Sequence, residues 1–392
     1  MSLILSRFAS PEARASLYQF TVYLPGAVSS VFLGIWLSEH GLPADQIGII
    51  NSIPMLCLLA VNMLIGRLAD RAKDWRSVIV MLSVVAAAAA FGLFFVNEFW
   101  GVMLVWSLVT MFTGSIPPII DAASVRMTRR NGTDFGVVRA WATVGYVVGA
   151  GGIGVLLAVF GANAFAPLFV ATSLLRAGLS LLLPRFRAPE QAETLATMVP
   201  TKLRDSLKPW FVLPLIAFAM INASHALIGG FGGLLWIQNG VPNYFVGPLL
   251  AIAAAAEAVI MFAWRRFGGR ITARNMILAA CIASLLRFTV MAFNPPVELL
   301  FVVQMLHAVS FGVGYFGVVH FIANWTDESN AAEAQGFANM LNQGMAVLAL
   351  AGFGWLVVRL GSYAFFASSV VAVLATACVL ISLRIRPPKD AQ

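Results

Sequence analysis

Twelve long apolar runs, separated by short polar breaks, take up nearly the whole of this 392-residue chain. A helix needs about 20 apolar residues to cross roughly 30 Å of hydrocarbon, and the runs have that length one after another. They fall near residues 16–38, 46–66, 77–96, 101–125, 136–158 and 165–183, then 211–236, 244–264, 275–293, 298–323, 335–357 and 363–383. With 60% hydrophobic residues, 11% charged residues and a mean hydropathy of +0.87, the solvent for such a chain is lipid. Short connections leave no room for a separate catalytic module. The opening stretch up to Ser16 has no small-residue cleavage site after an apolar core and is read as an uncleaved cytoplasmic tail.

The net charge of +8 is informative through its placement. Alternate connections are basic: Arg67, Arg71, Lys73 and Arg76; Arg126, Arg129 and Arg130; Arg185, Arg187, Lys202, Arg204 and Lys208; Arg265, Arg266, Arg270 and Arg274; then Arg384, Arg386 and Lys389. The intervening loops carry only Arg359. Basic flanks are retained in the cytoplasm, so both termini are expected inside a bacterial inner membrane, and nucleic acid is not an expected partner. One loop on the basic side, Asn324 to Gln335, has no Lys or Arg. The three cysteines, Cys57, Cys281 and Cys378, each lie in an apolar run with no CxxC pair or His at ligand spacing, which points away from a disulfide framework, a metal site or a cofactor.

The polar stretch from Pro184 to Pro209 falls near the midpoint of the chain and reads as a linker between halves. A glycine-and-arginine turn, Gly66 to Arg71, has a counterpart about one half later at Arg266 to Arg274, although the second copy lacks the acid. The expected architecture is therefore all-α: twelve transmembrane helices in two six-helix bundles, 1–184 and 210–392, joined by a cytoplasmic linker at 185–209.

Charges in mid-membrane are costly and normally face the protein interior in pairs. Asp121 and Arg139 lie equally far in sequence from Arg130, so a helical hairpin brings them to one depth, roughly 10 Å inside the boundary, where a salt bridge forms easily. Substrate recognition and a structural pin are both open readings of that pair. Tyr146 lies two turns deeper on the face of Arg139, placed to stack on a substrate or simply to pack. Gly145, Gly149, Gly151, Gly152 and Gly154 on the same helix offer small surfaces to a neighbour. In the second half Glu257, Arg287 and His307 lie well inside the hydrocarbon, where a carboxylate and an imidazole at comparable depth can exchange a proton or only fasten helices. His225, with Asn222 nearby, is a further candidate; Arg176 is expected to snorkel toward the cytoplasm and His320 to be structural.

Pro118 to Ala122, followed by Asp134-Phe135-Gly136-Val137-Val138-Arg139-Ala140-Trp141, resembles the signature of the phenylpropionate permease branch of the major facilitator superfamily. The Gly66 to Arg71 turn resembles that superfamily's loop between spans two and three, with Lys73 in place of its second glycine. His225-Ala226, Ala256-Glu257 and Val302 to His307 agree with the same branch, and the lactose permease type is a more distant likeness. The resemblance implies the major facilitator fold, with substrate bound by Asp121, Arg139 and an aromatic at Tyr146, and binding and proton coupling served by Glu257, Arg287 and His307. Two departures stand out: Ser310 occupies the position of the lactose permease's proton-carrying glutamate, and Ala142 replaces a glycine.

The leading expectation is alternating-access symport of a small organic anion such as an aromatic carboxylate, coupled to protons by a protein acting as a monomer. Arg139, supported by Asp121, would hold the carboxylate, with Tyr146, Tyr23, Trp141 and His225 completing the binding set. A sugar or nucleoside symporter is the alternative, because Asp121 already neutralises Arg139; an exporter comes third. No nucleophile–base pair, metal set or phosphate loop supports an enzyme.

Overall fold

The computed structural model describes residues 10–187, 203, 207–267 and 271–386. Among the described residues the regular structure is helical throughout, as lipid requires, because only a helix satisfies its own backbone polar groups within one segment. Among the described residues nine stretches are long and apolar enough to span a membrane. The last of them, Ala331–Ile385, contains two helices, and with the shorter apolar helices Phe135–Gly149 and Phe165–Ser180 the described residues supply twelve membrane rods.

By its contacts the chain divides into two compact units, Met1–Thr201 with Asp327–Phe337, and Lys202–Thr326 with Ala338–Gln392. Most of the expected linker, residues 188–202 and 204–206, lies outside the described residues.

The first unit opens with α1 (Pro11–Val22), whose first turn is capped by Ser10 Oγ accepting the Ala13 N–H at 3.1 Å. Tyr23 interrupts the rod and α2 (Leu24–Glu39) follows, because Pro25 in its first turn has no N–H to continue the ladder. Then come α3 (Ala44–Arg71), α4 (Trp75–Ala90), α5 (Phe99–Gly114) and α6 (Ile116–Asn131). Pro117 and Pro118 separate α5 from α6 in the same way, and Gly132, at φ +66, ends α6 in the left-handed turn that glycine adopts without strain. Consequently Arg126, Arg129 and Arg130, expected in a loop, ride on the last turns of α6, and Arg67 and Arg71 on those of α3. The unit continues with α7 (Phe135–Phe160) and α8 (Phe165–Ser180). Its core gathers Trp75, Ile79, Ile119 and Phe186.

The second unit contains α9 (Pro209–Leu227), a π-helical turn at Ile228–Gly232, α10 (Gly233–Gln238), α11 (Asn243–Phe267) and α12 (Ala273–Ala292). A second π turn, Ala308–Val313, separates α13 (Val297–Met305) from α14 (Gly314–Trp325). The α15 helix (Ala331–Leu360), which from Ala338 onward belongs to this unit, and α16 (Ala364–Ile385) complete the regular structure of the described residues. Trp236, Phe288 and Phe365 anchor this unit's core. Large apolar side chains such as Trp100, Leu348 and Val358 stand 73%, 75% and 85% exposed, the surface expected of helices whose outer faces meet lipid.

Candidate functional site

Each unit carries its own buried polar cluster. In the first, α6 and α7 form the hairpin that sets Asp121 against Arg139, with Arg139 Nε 3.7 Å from Asp121 Oδ1. Both side chains are buried. Gln19 of α1 donates from Nε2 to the same Oδ1 at 3.3 Å, and the Arg139 guanidinium lies 5.3 Å from the centre of the Tyr23 ring, within cation–π range. Four polar or aromatic groups from α1, α6, α7 and the α1–α2 junction thus converge. Trp141 and Tyr146, also on α7, are 39% and 42% exposed and present much of their rings at the unit's surface. The approach of α1 to α7 depends on Gly145: a Cβ there would stand 1.8 Å from the Phe20 carbonyl oxygen, so no side chain fits. Gly152, grouped with it on sequence grounds, has open space where its Cβ would be.

The second cluster runs in a line. Arg287 of α12 donates from Nη1 to His307 Nδ1 at 3.0 Å, and its Nη2 bonds Gln304 Oε1. A guanidinium has no acceptor, so Nδ1 accepts and the neutral imidazole carries its proton on Nε2. That nitrogen stands 3.4 Å from Glu257 Oε2 on α11. The ring of His307 stacks on Phe311, with centroids 5.3 Å apart and planes 9° from parallel. His225 of α9 meets His307 edge to face at 5.0 Å. Its Nδ1 is bonded to the Ile221 carbonyl at 2.8 Å, which makes Nδ1 the donor and leaves Nε2 to accept from the Ser310 hydroxyl at 3.1 Å. Ser310, fully buried in the π turn, therefore has a partner of its own. Both π turns lie beside a histidine: one begins three residues after His225 and the other directly after His307. Such single π turns inside α-helices fall frequently at functional sites.

The loop residues have a different chemistry. Asp70, buried at the end of α3, accepts the Ala332 and Glu333 N–H groups at 2.9 and 2.7 Å and the Trp75 indole N–H at 3.0 Å. It caps the first turn of α15, satisfying donors that a helix start leaves open. Arg67 donates from Nε to Glu333 at 3.0 Å, and Arg187 bonds the carbonyls of Ala72, Asp70 and Glu328. Burial pushes the Glu328 carboxyl above its ordinary value, with Arg187 and Arg126 pulling it back, and burial likewise lowers Arg187. The acids of the one non-basic loop thus engage basic side chains of neighbouring loops in the same unit. In the corresponding turn of the second unit there is no acid to do this, and Arg274 instead donates to the Ser382 carbonyl at 3.0 Å.

One expectation is corrected outright. Arg176 does not snorkel; it is 0% exposed, because α8 directs it inward, where Nη2 donates to Thr113 Oγ1 at 3.0 Å. Gln19, Gln304 and Phe311 were not singled out from the sequence as site residues. Gln304 had a usable signal, standing three residues before His307 and so on its face of the helix. Gln19 had none beyond being polar inside a span.

A family model described as the MFS_1 like family matches residues 17–357. The chain is 25% identical over 371 residues to a protein of Escherichia coli (strain K12) named "Probable 3-phenylpropionic acid transporter", covering 91% of this chain and 94% of that one. It is 25% identical over 303 residues to the maltose permease of Geobacillus stearothermophilus, covering 76% and 75%. Among solved structures, the E. coli fucose:proton symporter FucP superposes with a TM-score of 0.72 at 12% identity, covering 97% of this chain and 100% of that one.

Proposed function

The chain belongs to the MFS_1 like family and is a multi-pass membrane transporter rather than an enzyme, and from that premise we propose that it is a proton-coupled symporter of a small organic acid, of the aromatic carboxylate class, working by alternating access. The observation that carries the proton half of this reading is the line Arg287, His307, Glu257. Arg287 fixes the His307 tautomer so that the single imidazole proton points at the carboxylate. A proton arriving at Glu257 goes to a carboxylate oxygen, because Nε2 already carries its own proton and Nδ1 is engaged by Arg287. The guanidinium on the far side of the ring opposes a second charge on the imidazole, so Glu257 is the group that loads and unloads.

Arg139 supports the substrate half. Its 3.7 Å separation from Asp121 is an ion pair too long for a direct hydrogen bond, and Gln19 already occupies the same oxygen. An incoming carboxylate offers the guanidinium shorter, bidentate partners at about 2.8 Å. Tyr23 beside the guanidinium, and the partly exposed Trp141 and Tyr146, supply aromatic surface for an apolar body. The similarity to a protein named for 3-phenylpropionic acid points the same way. A neutral sugar or nucleoside is the second reading, favoured by the charge balance of Asp121 with Arg139 and by the likeness to a maltose permease. The alternating basic loops support a bacterial inner-membrane location with both termini cytoplasmic, and we take the working unit to be the monomer.

Uptake of labelled phenylpropionate and of a neutral galactoside into proteoliposomes, with and without an inward proton gradient, tests both halves. Gradient-driven accumulation of the acid by wild type, lost in Glu257→Gln, is expected. Accumulation of the galactoside instead moves the substrate to the second reading. Movement only down the compound's own gradient, unchanged by Glu257→Gln, makes the protein a facilitator and ends the coupling argument.

A further inference from the structure

Arg139 has Asp121, and Arg287 reaches Glu257 through His307; Arg176, fully buried on α8, has no such counter-charge among the described residues. It is 0% exposed, and among the described residues no carboxylate lies within ion-pair distance of it. Among the described residues only Nη2 is satisfied, by Thr113; Nε and Nη1 have no hydrogen-bond partner there. Three residues earlier on the same face of α8, Ser173 is 1% exposed and its Oγ also has no partner among the described residues. Two buried side chains on one helical face therefore hold three unpartnered polar atoms with donor capacity among the described residues.

The remaining ionisable neighbour cannot supply the charge. Tyr18, fully buried, acts electrostatically on Arg176. Its hydroxyl is 2.7 Å from Ser83 Oγ, and Ser83 gives its own proton to the Ile79 carbonyl at 2.8 Å. Ser83 has one proton, so Tyr18 must be the donor in the bond between them and is a neutral phenol. A water molecule could occupy the open N–H groups, but it would leave a full positive charge uncompensated at low dielectric, which is the more expensive of the two defects. A small anion on one open edge of the guanidinium cures the larger defect, because it balances the charge and gives the donor on that edge and the Ser173 hydroxyl a charge-assisted partner.

We propose that the first unit binds one monovalent inorganic anion, of the halide class, at Arg176 and Ser173. The site is separate from the Asp121–Arg139 pair and stabilises the unit whatever the protein carries. The test is the thermal unfolding midpoint of the purified full-length protein, titrated with sodium chloride against sodium gluconate at constant ionic strength. Chloride is expected to raise the wild-type midpoint saturably, by about 2 °C or more, since a ligand that binds the folded state alone raises its stability. Arg176→Gln is expected to give the same midpoint in both salts, and Ser173→Ala to saturate at about fivefold higher chloride through loss of one hydrogen bond. A wild-type midpoint indifferent to the anion overturns the site. So does a linear, non-saturating rise shared by Arg176→Gln, which is a bulk salt effect. Should Arg176→Gln fail to fold, the wild-type titration and Ser173→Ala still decide: a saturable rise left unshifted in Ser173→Ala removes the serine from the site and overturns the assignment as stated.

Discussion

The two units hold their buried charges differently. In the first, Asp121 and Arg139 face each other directly, with Gln19 and Tyr23 on the flanks, and α1 is pressed so close to α7 that position 145 has no room for a side chain. In the second, the opposite charges of Glu257 and Arg287 are held apart by an imidazole that touches both, and two π turns interrupt the helices that carry the histidines. A direct pair resists any change of charge in either member. An interposed ring lets one end change its protonation without stripping the other of its partner. Under the proposed function, rigidity and charge balance belong to the first cluster and proton exchange to the second.

The largest expected effect lies in the first unit. Asp121→Ala leaves a buried guanidinium opposite an empty position and should cost about 3 kcal/mol or more, seen as a fall in the thermal midpoint. Glu257→Gln preserves shape and one hydrogen bond, and should leave the midpoint nearly unchanged while abolishing gradient-driven uptake. Reversal of that order would break the comparison. Gly145→Ala is expected next, at about 2 kcal/mol from overpacking against the Phe20 carbonyl, again in thermal unfolding. Little or no loss would mean that α1 and α7 are free to separate and that the first unit is not the rigid one.

Smaller effects sharpen the picture of the second unit and the loops. Ser310→Ala removes the donor to His225 Nε2 and should cost about 1 kcal/mol. If uptake by this variant keeps its full proton dependence, the serine only orients the ring; if the dependence is lost, His225 belongs to the relay. The smallest expected effect is at Glu328. Burial raises its folded carboxyl above the unfolded value, so the folded state keeps that proton to higher pH. Its contribution to stability is complete on the acid side and is lost as pH rises through the raised value. Midpoints measured from pH 4 to 8 should therefore slope downward more in wild type than in Glu328→Gln.

What could be read from the sequence was what depends on local geometry. The pairing of Asp121 with Arg139 follows from their equal distance to one turn, and the break before α6 from Pro117 and Pro118. The common depth of Glu257 and His307 follows from counting residues along spans. Contacts between helices distant in sequence were not legible: Gln19 reaches Asp121 across 102 residues and His225 reaches Ser310 across 85. Their rotation about their own axes decides those meetings, and no local pattern fixes it. Arg176 was misplaced for the same reason, since snorkelling and burial differ only by which way α8 is turned. The absence of Lys and Arg from the Asn324 to Gln335 loop was visible, but its explanation needed Glu328 and Glu333 set beside Arg187 and Arg67. The π turns left no signature, because glycines such as Gly229, Gly230 and Gly312 are as common in ordinary membrane helices.

Those π turns bear on how related chains should be aligned. Each accommodates one residue more than an α turn would, and a single residue advances a helix by about 100°. Deleting one residue within Ala308–Val313 would restore regular winding and swing the face bearing His307 by that angle relative to α14. A relative lacking the extra residue would then match this chain on either side of a one-position gap, and a histidine that aligns there by letter would point to a different neighbour.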